Sequence, residues 1–220
     1  INILNQWAAT CTEVTSNDAN HKLAAGAQGY TFANAAEIMQ TYDGWTEADQ
    51  TTFKTWIVKV FASKNKDFLD NHQGSSNCAL HYWSNWDLVN MCSYLSIGIL
   101  TEDDDMVNYV VNYFYNGAGN GALNNLIQGT HIDPLSNEEI CQNQESGRDQ
   151  GHAQMSAAVT ANLCQIAYTF YQDNKDVSRL DFFAANNNAI MKMGAYVALR
   201  HAKDGMKNDN SDGIWLIDIT

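Results

Sequence analysis

Apolar residues recur at helical spacing along almost the whole chain, and little of it alternates in the period of a strand. The clearest case is Phe53, Trp56, Ile57, Val60 and Phe61, which fall at i, i+3, i+4, i+7 and i+8. That run follows Thr46-Glu47-Ala48-Asp49, which has the form of a capping box. Ile3–Val14 reads as a helix with Leu4, Trp7, Ala8 and Cys11 on one face. Phe32–Tyr42 reads as another, after a turn at Gly26–Gly29. Thr101 reads as the cap of a helix whose start carries Glu102, Asp103 and Asp104, acidic groups that suit a helix N-terminus. Its stripe is Val107, Val110, Val111 and Phe114. A loop at Gly117–Gly121 precedes a short helix near Leu123–Gln128, and Ser178 reads as the cap of a last helix running to about Ala202. The tail Gly213–Ile219 is the one segment with strand character. About eight helices joined by turns define an all-α chain, arranged as a bundle or an α/α toroid of antiparallel helix pairs.

The size of the chain fits one domain, or two small ones, with an ample core: 220 residues, 45% of them hydrophobic and only one a proline. We read residues 1–204 as the helical domain and 205–220 as a tail. The first residues, Ile1-Asn2, already lie inside a helical pattern, which reads as a processed form or a fragment of a longer protein. A net charge of −13 argues against nucleic acid and anionic membrane surfaces as partners. No apolar run reaches membrane-spanning length, so membrane insertion is not expected. The five cysteines form no CxxC pair and no zinc pattern. A disulfide between Cys78 and Cys141, both read as loop residues, stays open.

Two clusters carry chemistry. The first is Gln144-Glu145-Ser146-Gly147-Arg148-Asp149-Gln150-Gly151-His152, which gathers a guanidinium, carboxylates and an imidazole at a helix start. Ser146 reads as its N-cap, with Asp149 three residues on. Arg148 and His152, four apart, would then share one helix face. A fixed cation beside a titratable base suits an acidic substrate, whereas a cap with a local salt bridge is the plainer reading. The second cluster is His81-Tyr82-Trp83-Ser84-Asn85-Trp86-Asp87, opening the apolar run Leu88–Leu100. His81 and Asn85 are again four apart. Trp83 and Trp86 can form a stacking wall for sugar faces or sit in the core. Two weaker patterns are set aside. Gly117–Gly121 lacks the Lys-Ser/Thr of a phosphate loop. Asn208–Gly213 begins like a calcium loop but has Ile219 where a Glu is required, and reads as a turn.

Taken in order, Tyr30–Trp45 (YTFANAAEIMQTYDGW), His81–Leu88 (HYWSNWDL), Ile97–Leu100, Gly117–Leu123 and Gln144–His152 (QESGRDQGH) resemble the alginate-lyase-like helical domain of polysaccharide lyases, in the chondroitin AC/alginate lyase superfamily. The resemblance runs from about residue 3 to about residue 200, and QESGRDQGH and YWSNWD are its specific parts. It implies an α/α toroid, here incomplete because full toroids have more helices, in a protein that is secreted or periplasmic. It also implies β-elimination of a uronic-acid polysaccharide of alginate or glucuronan type, with neither metal nor cofactor. That chemistry needs the C6 carboxylate neutralised, a base for the C5 proton, and an acid for the leaving oxygen. The matching positions are Asn85 and Arg148 as neutralisers and His152 as base, with Tyr82 or His81 as acid. Trp83, Trp86, Glu145 and Gln150 would contact substrate, and Glu145 and Asp149 would orient Arg148 or His152. The better-known alginate lyases place a catalytic Tyr about two turns after the Arg, where this chain has Met155. Two rival expectations are an α/α-toroid glycoside hydrolase using Asp87, Glu145 and Asp149, and a non-catalytic glycan-binding protein with Trp45, Trp83 and Trp86 as its platform.

Overall fold

A computed structural model of the chain describes residues 1–72, 78–173 and 178–203. Helix dominates them, with one two-stranded sheet. The expected strand at Gly213–Ile219 and the Asn208–Gly213 turn lie outside the described residues. The chain forms two compact units, one of residues 1–82 and 89–114, the other of residues 83–88 and 115 onward.

The first unit begins with α1 (Asn2–Thr10) and α2 (Asn20–Met39). The turn expected at Gly26–Gly29 is instead the middle of α2. A Cβ on Gly26 would lie 2.7 Å from Val89 Cγ2 and 2.9 Å from the Asn90 nitrogen, and one on Gly29 would meet Ser93 Oγ at 2.1 Å. The glycines are there because another helix passes close, not because the chain turns. Next come α3 (Glu47–Ile57), a π-helical turn (Val58–Ala62) and α4 (Ser63–Asn71). Thr46 Oγ1 accepts from the Asp49 nitrogen at 3.2 Å, as the capping box predicts. Phe53, Trp56, Ile57, Val60 and Phe61 are all buried, and Phe32 sits edge-on to Trp56 and tilted against Phe61.

Trp45 belongs to this core rather than to a sugar platform. It is 3% exposed, packs on Phe53 and donates its indole N–H to Asn5. A 3-10 turn (Ala79–His81) leads to α5 (Ser84–Thr101), whose first turn belongs to the second unit and whose remainder lies in this one. Asn65 donates to Asn90 at 2.8 Å and accepts from Ser93 at 2.6 Å, a fully buried polar link that fixes how α4 meets α5. The helix α6 (Asp104–Asn116) buries Val107, Val110, Val111 and Phe114 as expected. Its cap is Asp103, whose Oδ1 accepts from the Met106 nitrogen at 3.0 Å. Thr101 instead ends α5, its hydroxyl donating back to the Ile97 carbonyl.

The second unit contains α7 (Leu123–Leu126), β1 (Ile127–Ile132), β2 (Glu139–Asn143), α8 (Gln150–Asp173), a 3-10 turn (Ser178–Leu180) and α9 (Ala185–Lys203). The helix expected at Leu123–Gln128 is one turn long and gives way to the antiparallel β1–β2 hairpin, which pairs Thr130 with Cys141 and Ile132 with Glu139. Only one residue in two along β1 is partly covered, too faint an apolar alternation to signal a strand. Ile140 in β2 packs with Tyr196 and Val197 of α9. The last helix does not begin at Ser178. Asn186, Asn187 and Asn188 take left-handed φ values of 47°, 57° and 59°, a conformation Asn tolerates better than most residues. All five cysteines, Cys78 and Cys141 included, are free thiols, and burial pushes Cys164 up to about 12. No helix among the described residues is long and apolar enough to cross a membrane.

Candidate active site

The first cluster and residues Trp83–Asp87 of the second meet within the second unit, where the connection from β2 to α8 docks against the first turn of α5. A helix N-terminus presents N–H groups that have no partner inside the helix. Here two side chains from the connection supply acceptors. Gln144 Oε1 accepts from the Ser84 nitrogen at 3.0 Å, and Glu145 Oε1 accepts from the Asn85 nitrogen at 2.8 Å. The same Glu145 oxygen takes the Asn85 side-chain amide at 2.8 Å and the Ser84 hydroxyl at 3.0 Å. Ser84 Oγ also lies 2.9 Å from Ser156 Oγ on α8. Glu145 is completely buried, yet its charge faces the positive end of a helix and three donors on one oxygen. Further along the same turn, Asp87 Oδ2 accepts from the Gly121 nitrogen at 3.1 Å.

The connection itself is pinned by Asn143, which donates to the Ala153 carbonyl and accepts from Ser146 Oγ at 2.6 Å. Ser146 is therefore not the cap of α8. That role falls to Asp149, whose Oδ1 accepts from the His152 nitrogen at 2.9 Å. Arg148 lies before the helix rather than on it, so it and His152 do not meet as helical neighbours. Likewise His81 ends a 3-10 turn and Tyr82 is extended, so neither shares a helical face with Asn85.

Arg148 is held on three sides. Its Nη1 donates to Glu145 Oε2 at 3.3 Å, its Nε lies 3.9 Å from Asp149 Oδ2, and its guanidinium sits 5.0 Å from the Trp83 ring centroid. At that distance the positive group is attracted to the electron-rich ring face. Its Nη2 edge takes no protein partner among the described residues, and the side chain is 29% exposed. His152 Nδ1 lies 2.5 Å from the same Asp149 oxygen, leaving Nε2 without a protein partner among the described residues and the side chain 35% exposed. Burial acts to raise the Asp149 carboxyl. The hydrogen bonds from the His152 backbone and ring, and the charges of His152 and Arg148, outweigh it and hold the group below the ordinary carboxylate range.

Of the residues singled out from the sequence, Asn85, Trp83, Glu145, Arg148 and His152 are thus brought together. Asn85 is only 2% exposed, its amide turned to Glu145. Gln150 opens α8 and is partly exposed, as is Trp86. Tyr82 and His81 belong to the first unit, where Tyr82 lies edge-on to both Phe68 and His81 and burial pushes its phenol upward. Sequence reasoning missed Gln144, Ser84 and Ser156. For Ser156 the available signal is a hydroxyl on the buried side of an apolar helix. Among the described residues no three His, Cys, Asp or Glu side chains gather into a metal-holding group.

This helical architecture, with its cation and imidazole fixed on neighbouring carboxylates, is met by a family match: the sequence model described as alginate lyase covers residues 1–205. The chain belongs to the alginate lyase family. No curated protein matches it, and no solved structure does.

Proposed function

We propose that this chain is a polysaccharide lyase that cleaves a uronic-acid-containing polysaccharide, of alginate or glucuronan type, by β-elimination. One observation carries the reading. Arg148 and His152 both lie against a common carboxylate oxygen, that of Asp149, and each keeps one edge without a protein partner among the described residues. The Nη2 edge of Arg148 neutralises the C6 carboxylate, which makes the C5 proton acidic enough to leave. Nε2 of His152 takes that proton. The C5–H electron pair becomes the C4–C5 double bond, the C4–O bond breaks, and the departing oxygen takes a proton from a general acid. Trp83, Trp86 and Gln150 contact the sugar chain. Asn85 acts through Glu145, since its amide is turned inward.

The family favours a lyase, and the burial of Glu145 and Asp87 supports it over a hydrolase, whose paired carboxylates must reach the glycosidic bond. In the same reading the helix pairs are part of an α/α toroid and the protein works outside the cytoplasm, secreted or periplasmic, where such polymers lie. The test is absorbance of the unsaturated product with a panel of alginate, polyglucuronate, chondroitin and heparin. A new reducing end without ultraviolet absorbance would mean hydrolysis, and tight oligosaccharide binding without turnover would mean a binding protein.

A further inference from the structure

We propose that Asp149 is a positioning residue that fixes the tautomer of His152, so that the proton-free nitrogen is the outward one. The inference rests on the lyase reading, in which His152 is the base. Its ground is the way one carboxylate is divided between two tasks. Oδ1 caps α8 by accepting from the His152 backbone nitrogen at 2.9 Å, while Oδ2 lies 2.5 Å from Nδ1 of the same residue. Because His152 is the third residue of the helix, the cap that starts the helix also sets the angle of its ring. A carboxylate offers no proton of its own, so Nδ1 must carry the hydrogen in the neutral ring. Nε2 is then the lone-pair nitrogen, and it is the one without a protein partner among the described residues. Arg148 Nε, 3.9 Å from Oδ2, adds a positive charge on the same oxygen and keeps it ionised.

The capping geometry makes a sharp test available. In Asp149→Asn the amide oxygen must remain on the Oδ1 side to cap the helix, and Asn is as good a cap as Asp. The amide nitrogen then faces Nδ1 and donates to it, which drives the ring proton to Nε2 and removes the lone pair that takes the C5 proton. Asp149→Ser keeps a cap but imposes neither tautomer.

The experiment combines nitrogen NMR of histidine-labelled protein at alkaline pH, with His152 assigned from the His152→Gln spectrum, and steady-state kinetics on the preferred uronate polymer. The expected result is a wild-type His152 with its proton on Nδ1 and an Asp149→Asn ring with it on Nε2. Turnover should fall roughly a hundredfold or more in Asp149→Asn, as for loss of a general base, with KM little changed and Asp149→Ser in between. A wild-type ring carrying its proton on Nε2, or an Asp149→Asn protein with wild-type turnover, overturns the assignment. The wild-type tautomer is read without substrate and without any variant's having to retain activity. Its failure and the failure of the lyase reading are therefore separate results.

Discussion

Asn85 gives both its backbone N–H and its side-chain amide to a single oxygen of Glu145, each at 2.8 Å. The pair joins two motifs far apart in the sequence and leaves a buried carboxylate with no unanswered lone pair facing the helix. Replacing Glu145 with Gln removes the charge and sets an amide nitrogen against donors. The expected loss is about 2–4 kcal/mol of stability, the range for breaking a buried charged network. Urea unfolding of the variant measures it, and a loss below about 0.5 kcal/mol would show that Glu145 is not what secures the start of α5.

Arg148→Lys keeps the charge and loses the planar fork and the separate contacts to Glu145 and Asp149. An ammonium cannot grip a substrate carboxylate at two points while meeting those partners. We expect kcat/KM to fall by about 30-fold or more, near 2 kcal/mol of transition-state binding. A folded Arg148→Lys enzyme with unchanged kcat/KM would make Arg148 a purely structural partner of Glu145.

His152→Gln retains a hydrogen-bonding side chain that cannot accept a proton near neutrality. Turnover should drop roughly a hundredfold or more while the helical circular dichroism stays that of the wild type. Near-normal turnover would take the base role from His152 and reduce it to substrate contact.

The pH dependence of stability should show the sign of a depressed carboxylate. In the first unit the hydrogen bond from buried Lys22 is the largest influence on Asp67 and holds its carboxyl below the ordinary range. Such a group contributes stability that is present above its unfolded pKa, about 3.9, and is lost as pH falls through the lower folded value. Asp67→Asn should cost about 1–3 kcal/mol at neutral pH, less than for a fully buried pair because Asp67 is half exposed. The gap between variant and wild type should close in acid. A gap independent of pH would mean that packing, not the charge, is what the substitution removes.

At Gly121 the chain passes close against the first turn of α5. A Cβ there would lie 2.4 Å from Asp87 Cβ and 3.1 Å from the Ser84 carbonyl oxygen. Gly121→Ala should lose about 1–3 kcal/mol by overpacking and, on the lyase proposal, turnover with it, because Ser84 and Asn85 must shift off Glu145. Wild-type thermal stability in that variant would show that the turn yields freely.

What the sequence by itself determined is the helical character and much of the core. Phe53, Trp56, Ile57, Val60 and Phe61 declare their buried face through spacing alone, because a helix repeats every 3.6 residues whatever it packs against. The residue types of the candidate site were equally plain in QESGRDQGH and YWSNWD. Tertiary structure decided what those residues do for one another. Gly26 and Gly29 look like a turn until a neighbouring helix is seen to need the space of their missing side chains. Ser146 has the composition of a cap, but Asn143 claims its hydroxyl and Asp149 takes the helix start. The β1–β2 hairpin owes its strands to pairing and to Ile140 packing on α9, neither of which leaves a local pattern. Asn85 reads as a group for a substrate carboxylate, yet the carboxylate it holds is Glu145. The reason is common to all of these. Periodicity is a property of one segment, whereas a hydrogen bond belongs to whichever donor and acceptor the folded chain brings within 3 Å of each other.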